Sequence, residues 1–231
     1  MSACAHSATA AKSMTPKSST TASPTSAATT SASATAPVTH PRTAKELTAA
    51  LLVLKDMPSG FSVQPKDNGA QPMASSTAPS CATFVKLSNA AHLPGSIASA
   101  DRSFSGGQNG PEIDEELDAL KSVDAATGTQ QNVVTALGSC HSVKLAIPGA
   151  GTSDVKVESV SAPQFGSDPA AARMTMTSGP ASGLEVTMVT TRVEDVELAM
   201  TFVGAVPDDI DGATQLAVEK VQTTLGASSK A

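Results

Sequence analysis

The chain has neither tryptophan nor tyrosine, and only five phenylalanines among its 231 residues. Stacking platforms for bases or sugars are therefore nearly excluded, and a core has to be assembled from Leu, Val, Ile, Ala and Met. Long apolar runs are missing too. The longest, Ala49 to Leu54, falls well short of the roughly 18 apolar residues of a membrane span. No Gly-x-Ser-x-Gly elbow, HExxH or CxxC occurs, so the common hydrolase and zinc signatures are absent. Acidic residues do not occur before residue 43, where Lys12, Lys17 and Arg42 give +3, so residues 43–231 carry −9 and the whole chain −6. Nucleic acid is not an expected partner, because phosphate contacts need a clustered positive surface.

What is present begins with a Ser/Thr/Ala/Pro tract that carries Lys12 and Lys17 and closes with Pro41 and Arg42. Such a tract cannot bury enough apolar surface to offset chain entropy, so residues 1–42 are expected to form a disordered tether. Residues 43–231 are long enough for one α+β core and short for two.

The three cysteines are Cys4 in the tract, and Cys81 and Cys140 beyond it. An even pair inside the folded part, with no Cys/His cluster beside it, reads as a disulfide, the alternative being two buried thiols. Closing a loop of about 60 residues would stabilise the fold by roughly 4 kcal/mol in the chain-entropy model. Cys4 is left over. Met1-Ser2-Ala3-Cys4 resembles the end of a bacterial lipobox, with Met1 in the place usually held by Leu. The neutral spacer that follows suits a domain held off a membrane by a lipid on Cys4. The alternative is a cytoplasmic protein in which Met1 is the true start and Cys4 is incidental.

Along the domain, Thr43-Ala44-Lys45-Glu46 fits a capping box, and Leu47, Ala50, Leu51 and Leu54 follow at helical spacing. Pro58 and Gly60 stop that helix before a short strand at 61–64, and residues 66–80 read as a surface loop. A short helix is expected from Cys81 to Leu87, and a strand from Ile97 to Phe104. Pro111 then reads as the first position of a helix whose Ile113, Leu117 and Leu120 recur at i, i+4 and i+7. Another helix is expected over 130–137. Alternating sets follow in Val143 to Ile147, Val155 to Val157, Met174 to Met176, Leu184 to Met188 and Val196 to Phe202. Asp211 reads as the N-cap of a last helix with Ala213, Ala217, Val221 and Leu225 as its stripe and Gly226 as its stop. The sum is an α+β fold: a mostly antiparallel twisted sheet of about five to six strands, with helices packed on one face.

Few residues carry chemistry. The acidic run Glu112 to Asp118 could attract calcium, but it lacks an EF-hand pattern, and a helix N-terminus favours acids by its dipole alone. No metal ligand and no cofactor is assigned. The Gly-rich link Ser105 to Gly110, ahead of the expected helix, could receive an anion, or it could be a flexible connection capped by Asn109. Gly149-Ala150-Gly151 reads as a turn. Glu194, Asp195 and Glu197 are placed in a solvated hairpin turn. A nucleophilic triad would need His92 or His141 to face a cleft beside Ser and Asp. Met174, Met176, Met188 and Met200 occupy inward strand positions, where Met fills cores and can also line an adaptable pocket.

Three stretches carry a wider resemblance: Leu54-Lys55-Asp56-Met57-Pro58-Ser59-Gly60-Phe61, Cys81 opening a short helix, and Arg102-Ser103-Phe104-Ser105-Gly106-Gly107. With them the chain resembles actinobacterial sensor-domain-containing lipoproteins, which are similar to the extracellular sensor domain of an actinobacterial Ser/Thr protein kinase. That kinase sensor has two disulfides, where this domain offers one cysteine pair. The resemblance implies an α+β domain on the outer face of the membrane, without catalytic residues, that senses a ligand in a cleft.

The expectation is a non-enzymatic, lipid-anchored binding domain of the cell envelope. Its partners would be the membrane, through Cys4, and a small apolar ligand or an envelope protein. A ligand pocket would lie between sheet and helices and include Phe104, Met174, Met188 and Met200. A carrier of a lipid or other apolar molecule is the second expectation, requiring a cavity above about 300 Å³. An envelope hydrolase built on His92 or His141 is the third.

Overall fold

A computed structural model describes residues 40–66, 69–108 and 110–226. The expected anchor Cys4 and residues 1–39 of the expected tether fall outside these residues, as does the proposed cap Asn109. The first helix, α1 (Ala44–Ala50), starts where the capping box placed it: Thr43 Oγ1 accepts from the Glu46 N–H, and the Glu46 carboxylate accepts from the Thr43 N–H. Such a cap is worth about 1 kcal/mol. Arg42, just before it, donates to the Leu225 carbonyl and to Asp195, so the domain's contacts begin ahead of Thr43.

The nine strands are β1 (Ser62–Val63), β2 (Met73–Ser75), β3 (Ala98–Ser105), β4 (Glu112–Ala119), β5 (Ser142–Ile147), β6 (Gly151–Val160), β7 (Ser167–Met176), β8 (Glu185–Val193) and β9 (Val196–Val203). They form one open antiparallel sheet in the order β1-β3-β4-β9-β8-β7-β6-β5-β2. The expected five to six strands were too few. The edge strand β1 is the short strand expected at 61–64, whereas the other edge strand, β2, was not expected: three residues are too few to show a period, and pairing alone makes it a strand. β2 lies inside the stretch read as loop, paired with β5 on one side. On the other, the Asn89 side chain accepts from the Ala74 N–H and donates to its carbonyl, imitating one more strand.

The largest correction concerns residues 112–119, expected as a helix and found as β4. Ile113 and Leu117 are four apart, a spacing that satisfies both a helical and a two-residue period. The strand slot between them, which should have been apolar, holds the buried Glu115. That acid disguised the alternation. Ser105 to Gly110 therefore connects two strands in a hairpin, and no helix N-terminus is present there to receive an anion.

The other helices are α2 (Ala82–Ser88), α3 (Val123–Ser139) and α4 (Pro207–Leu225). α3 is longer than the expected 130–137. α4 starts at Pro207 with Val206 at its cap, so Asp211 lies within it. The stripe of Ala217 and Val221 is buried, and Gly226 ends the helix in the left-handed region at φ 69°, as its lack of Cβ allows.

Helices cover both faces of the sheet, not one. Leu47 and Ala50 of α1, and Ile210, Ala217 and Val221 of α4, pack with Phe104, Leu117, Leu198, Met200 and Phe202. Phe84 of α2, and Val133, Ala136 and Leu137 of α3, pack with Val143, Val157, Ala172 and Val186. β8 shows the division directly: Val189 and Val193 face the first cluster, Val186 and Met188 the second. A strand alternates its side chains between faces, and here each face has a helical layer to receive them.

Cys81 and Cys140 form a disulfide. Cys81 precedes α2 and Cys140 caps α3, so the bridge joins the two helices of the second layer at one end.

Candidate functional site

Beneath α2 and α3 lies a cavity of about 120 Å³. Phe84 and Leu87 come from α2, Leu93 from the loop after it, Val133 and Leu137 from α3, and Met188 from β8. Polar groups converge on it from the sheet: Glu116 and Asp118 from β4, Thr190 from β8 and Glu197 from β9. Gln130 of α3 and His92 complete it, and no lysine or arginine lines it.

Each polar group is positioned by a local device. Asp118 accepts from the Leu93 N–H at 3.2 Å and from the Ser99 hydroxyl, its cross-strand neighbour on β3. The first of these bonds also pins the loop that carries His92, whose Nδ1 lies 3.3 Å from Glu116 Oε1. Both rim residues face water, His92 at 50% exposure and Glu116 at 37%. Gln130 is fully buried, and its Nε2 donates to the Asp168 carbonyl at 2.7 Å and to Thr190 Oγ1 at 3.3 Å. The Asp168 carbonyl is presented by an irregularity in β7, where Asp168 takes φ 53°. With the amide nitrogen held by two acceptors, Gln130 Oε1 is turned the other way and has no hydrogen-bond partner. Glu197 is 5% exposed, and its Oε1 also lacks a partner.

The register places Glu197 directly opposite Asp118, two carboxylates side by side on one face. Burial pushes the Glu197 carboxyl up to about 8; Arg192 opposes the shift, while Asp118 and Asp168 add to it. Burial and then Asp118 also raise Glu116, against the hydrogen bond from His92. The turn acids expected in solvent are thus largely inside: Asp195 is buried against Arg42, and Glu197 faces the cavity. One ligating atom each from His92, Glu116 and Asp118 lies within 4.8 Å of the others, so these three could hold a divalent ion. Sequence reasoning found neither this group nor Gln130 and Glu197. The alternation of β9 puts Glu197 on the face opposite Val196 and Leu198, but no local signal says that this second face is covered too.

Of the four residues expected in one pocket, only Met188 lines the cavity. Met174 packs nearby in the same layer, whereas Phe104 and Met200 are buried on the opposite face. The reason is register: Met188 pairs with Thr201, and Val189 with Met200, so Met188 and Met200 point to opposite sides of the sheet. No hydrogen bond joins a serine hydroxyl to either histidine among the described residues, and His141 is exposed at the start of β5.

A nine-stranded open antiparallel sheet with two helical layers and a cavity under one of them defines an α+β domain of the kind the sequence resemblance implied. Among solved structures the chain is similar to the extracellular domain of PknH from Mycobacterium tuberculosis. The identity is 16% and the TM-score 0.56, over 81% of this chain and 98% of that one. This likeness shows a shared fold. A protein from Mycobacterium smegmatis, the Rv0999 ortholog, aligns at 12% identity and a TM-score of 0.39, over 80% of this chain and 96% of that one. No protein family model matches the chain, and neither does any curated protein sequence. No helix among the described residues is long and apolar enough to cross a membrane.

Proposed function

We propose that the protein is a non-enzymatic extracytoplasmic domain, tethered to the outer face of the membrane by a lipid on Cys4, that binds a small ligand under α2 and α3. The observation that carries this reading is the cavity itself, an apolar-walled space whose lining residues Gln130 and Glu197 each keep a buried oxygen, Oε1, without a partner. An unmet buried polar group costs about 1–3 kcal/mol, and a bound ligand removes that cost. The fold shared with the extracellular domain of PknH supports the location, as does the Cys81–Cys140 disulfide, since such bonds persist in oxidising compartments. At about 120 Å³ the cavity is below the size of ordinary ligand pockets. It suits a small ligand better than the lipid cargo of a carrier.

The test is the mass of the protein isolated from its native membrane fraction. The expected result is a diacylglyceryl group on Cys4 and, under non-denaturing conditions, a retained small molecule. The Ala199→Leu variant, which fills the cavity from β9, should lose that molecule. Recovery from the soluble fraction, with Cys4 unmodified and nothing retained, would overturn the reading.

A further inference from the structure

The charge balance of the cavity goes further than its existence. Its lining brings three carboxylates, Glu116, Asp118 and Glu197, to one side and no lysine or arginine. Asp118 already accepts from Leu93 and Ser99. Gln130 Oε1 and Glu197 Oε1, both more than nine-tenths buried, accept from nothing. Arg192, the cross-strand neighbour of Glu197, does not line the cavity: it sends its NH1 and NH2 to the Glu194 carbonyl and to Asp168, and its buried Nε has no partner. The unmet demand inside is therefore for hydrogen-bond donors that carry positive charge. Phe84, Leu87, Val133 and Leu137 on the helix side, with Met188 on the sheet side, offer no such donor and ask for apolar surface.

Resting on the binding role proposed above, we infer that the cavity receives a small organic cation, with an ammonium group among Glu116, Asp118, Glu197 and Gln130 Oε1 and a short apolar tail against α2 and α3. An ammonium brings three donors on one atom, enough for the two unpartnered acceptors and one rim carboxylate. A cavity of about 120 Å³ is comparable with one of about 150 Å³ that holds benzene, so the tail is limited to a few carbons. A bare metal ion at His92, Glu116 and Asp118 would leave the apolar wall unfilled.

The experiment uses the full chain with ¹³C-methyl methionine, titrated with n-butylamine, with its neutral isostere n-butanol and with butyrate. Met188 reports on the cavity and Met200, on the opposite face, is the internal control. The expected result is a saturable shift at Met188 with n-butylamine and none at Met200, with n-butanol and butyrate at least tenfold weaker. Glu197→Gln should weaken n-butylamine binding at least tenfold; if that variant does not fold, Glu116→Gln on the rim should do so several-fold. Equal binding of n-butanol, or no response at Met188 to any of the three, would overturn the inference. So would Zn²⁺ or Ca²⁺ shifting the loop around His92 while n-butylamine does nothing. Recovery of an uncharged native ligand by mass would leave the binding role intact and reject the cation alone.

Discussion

The two faces of the sheet each bury a carboxylate from a central strand, and they treat it differently. Under α1 and α4, Glu115 of β4 is 1% exposed; its Oε2 accepts from the Leu52 N–H at 2.7 Å. Arg102, its cross-strand neighbour, and Lys220 of α4 both favour its charge. Lys220 in turn pairs with Asp56, and Arg102 donates to the Leu52 carbonyl, so the acid belongs to a network that ties the chain after α1 to the sheet and to α4. Burial still raises its carboxyl, to about 7. Under α2 and α3, Glu197 faces a second carboxylate and an unpartnered amide oxygen across a cavity. Burial alone therefore does not mark a functional acid. Each acid keeps one buried oxygen without a partner, but Glu115 has Arg102, Lys220 and the Leu52 N–H around it, whereas Glu197 lines a cavity to which no lysine or arginine contributes.

That comparison can be tested from several directions. Replacing Cys81 and Cys140 by serine should have the largest effect, about 4 kcal/mol lost in urea unfolding. Because the bridge joins α2 to α3, the same variant should also lose ligand binding; a loss below about 1 kcal/mol would show that the second layer is held by packing. Leu198→Ala in the dry core beneath α1 and α4 should cost about 3 kcal/mol and leave the Met188 shift with n-butylamine intact apart from the fraction unfolded.

The raised carboxyls set the pH dependence. Glu115 and Glu197 ionise near 4.5 in the unfolded chain but near 7 and 8 in the fold, so the fold holds protons that the unfolded chain has released. What these two groups contribute to stability is then greatest below about pH 4.5 and falls as pH rises, by at most roughly 1.4 kcal/mol per pH unit for each group, until each folded value is passed. Glu197 is faced by Asp118, Asp168 and Arg192, and Glu115 by Lys220, Arg102 and Asp56. Near pH 8.5, Glu197→Gln should therefore raise the midpoint of urea unfolding more than Glu115→Gln does, since the Glu197 carboxyl is pushed further up. Equal gains would erase the distinction between the two faces. The smallest effect is that of Thr43→Ala, about 1 kcal/mol from the cap of α1, with the cavity untouched.

Much of the frame was legible in the residues. The capping box at Thr43 and Glu46, the Cys81–Cys140 pair, the apolar stripe of α4 and the alternation from Val143 onward all correspond to elements found, because each is a local pattern with a local physical cause. The site was legible only in Met188. Glu116 and Asp118 read as acids near the N-terminus of a helix, and Glu197 as an acid of a solvated turn. In this sheet Asp118 and Glu197 are covered by α3 and the loop of His92, and only Glu116, at the rim, keeps contact with water.

By itself, then, the sequence determined the building materials: a core without Trp or Tyr, one cysteine pair, an α+β alternation of elements and an acid-free leading tract. Tertiary structure alone decided that both faces of the sheet are covered, that 112–119 is a strand, and that Met188 and Met200 part company. The reason is that a two-residue period states only that neighbours point opposite ways. Which way is core, and which acids end up opposite one another, depends on strand register and on helices arriving from distant parts of the chain.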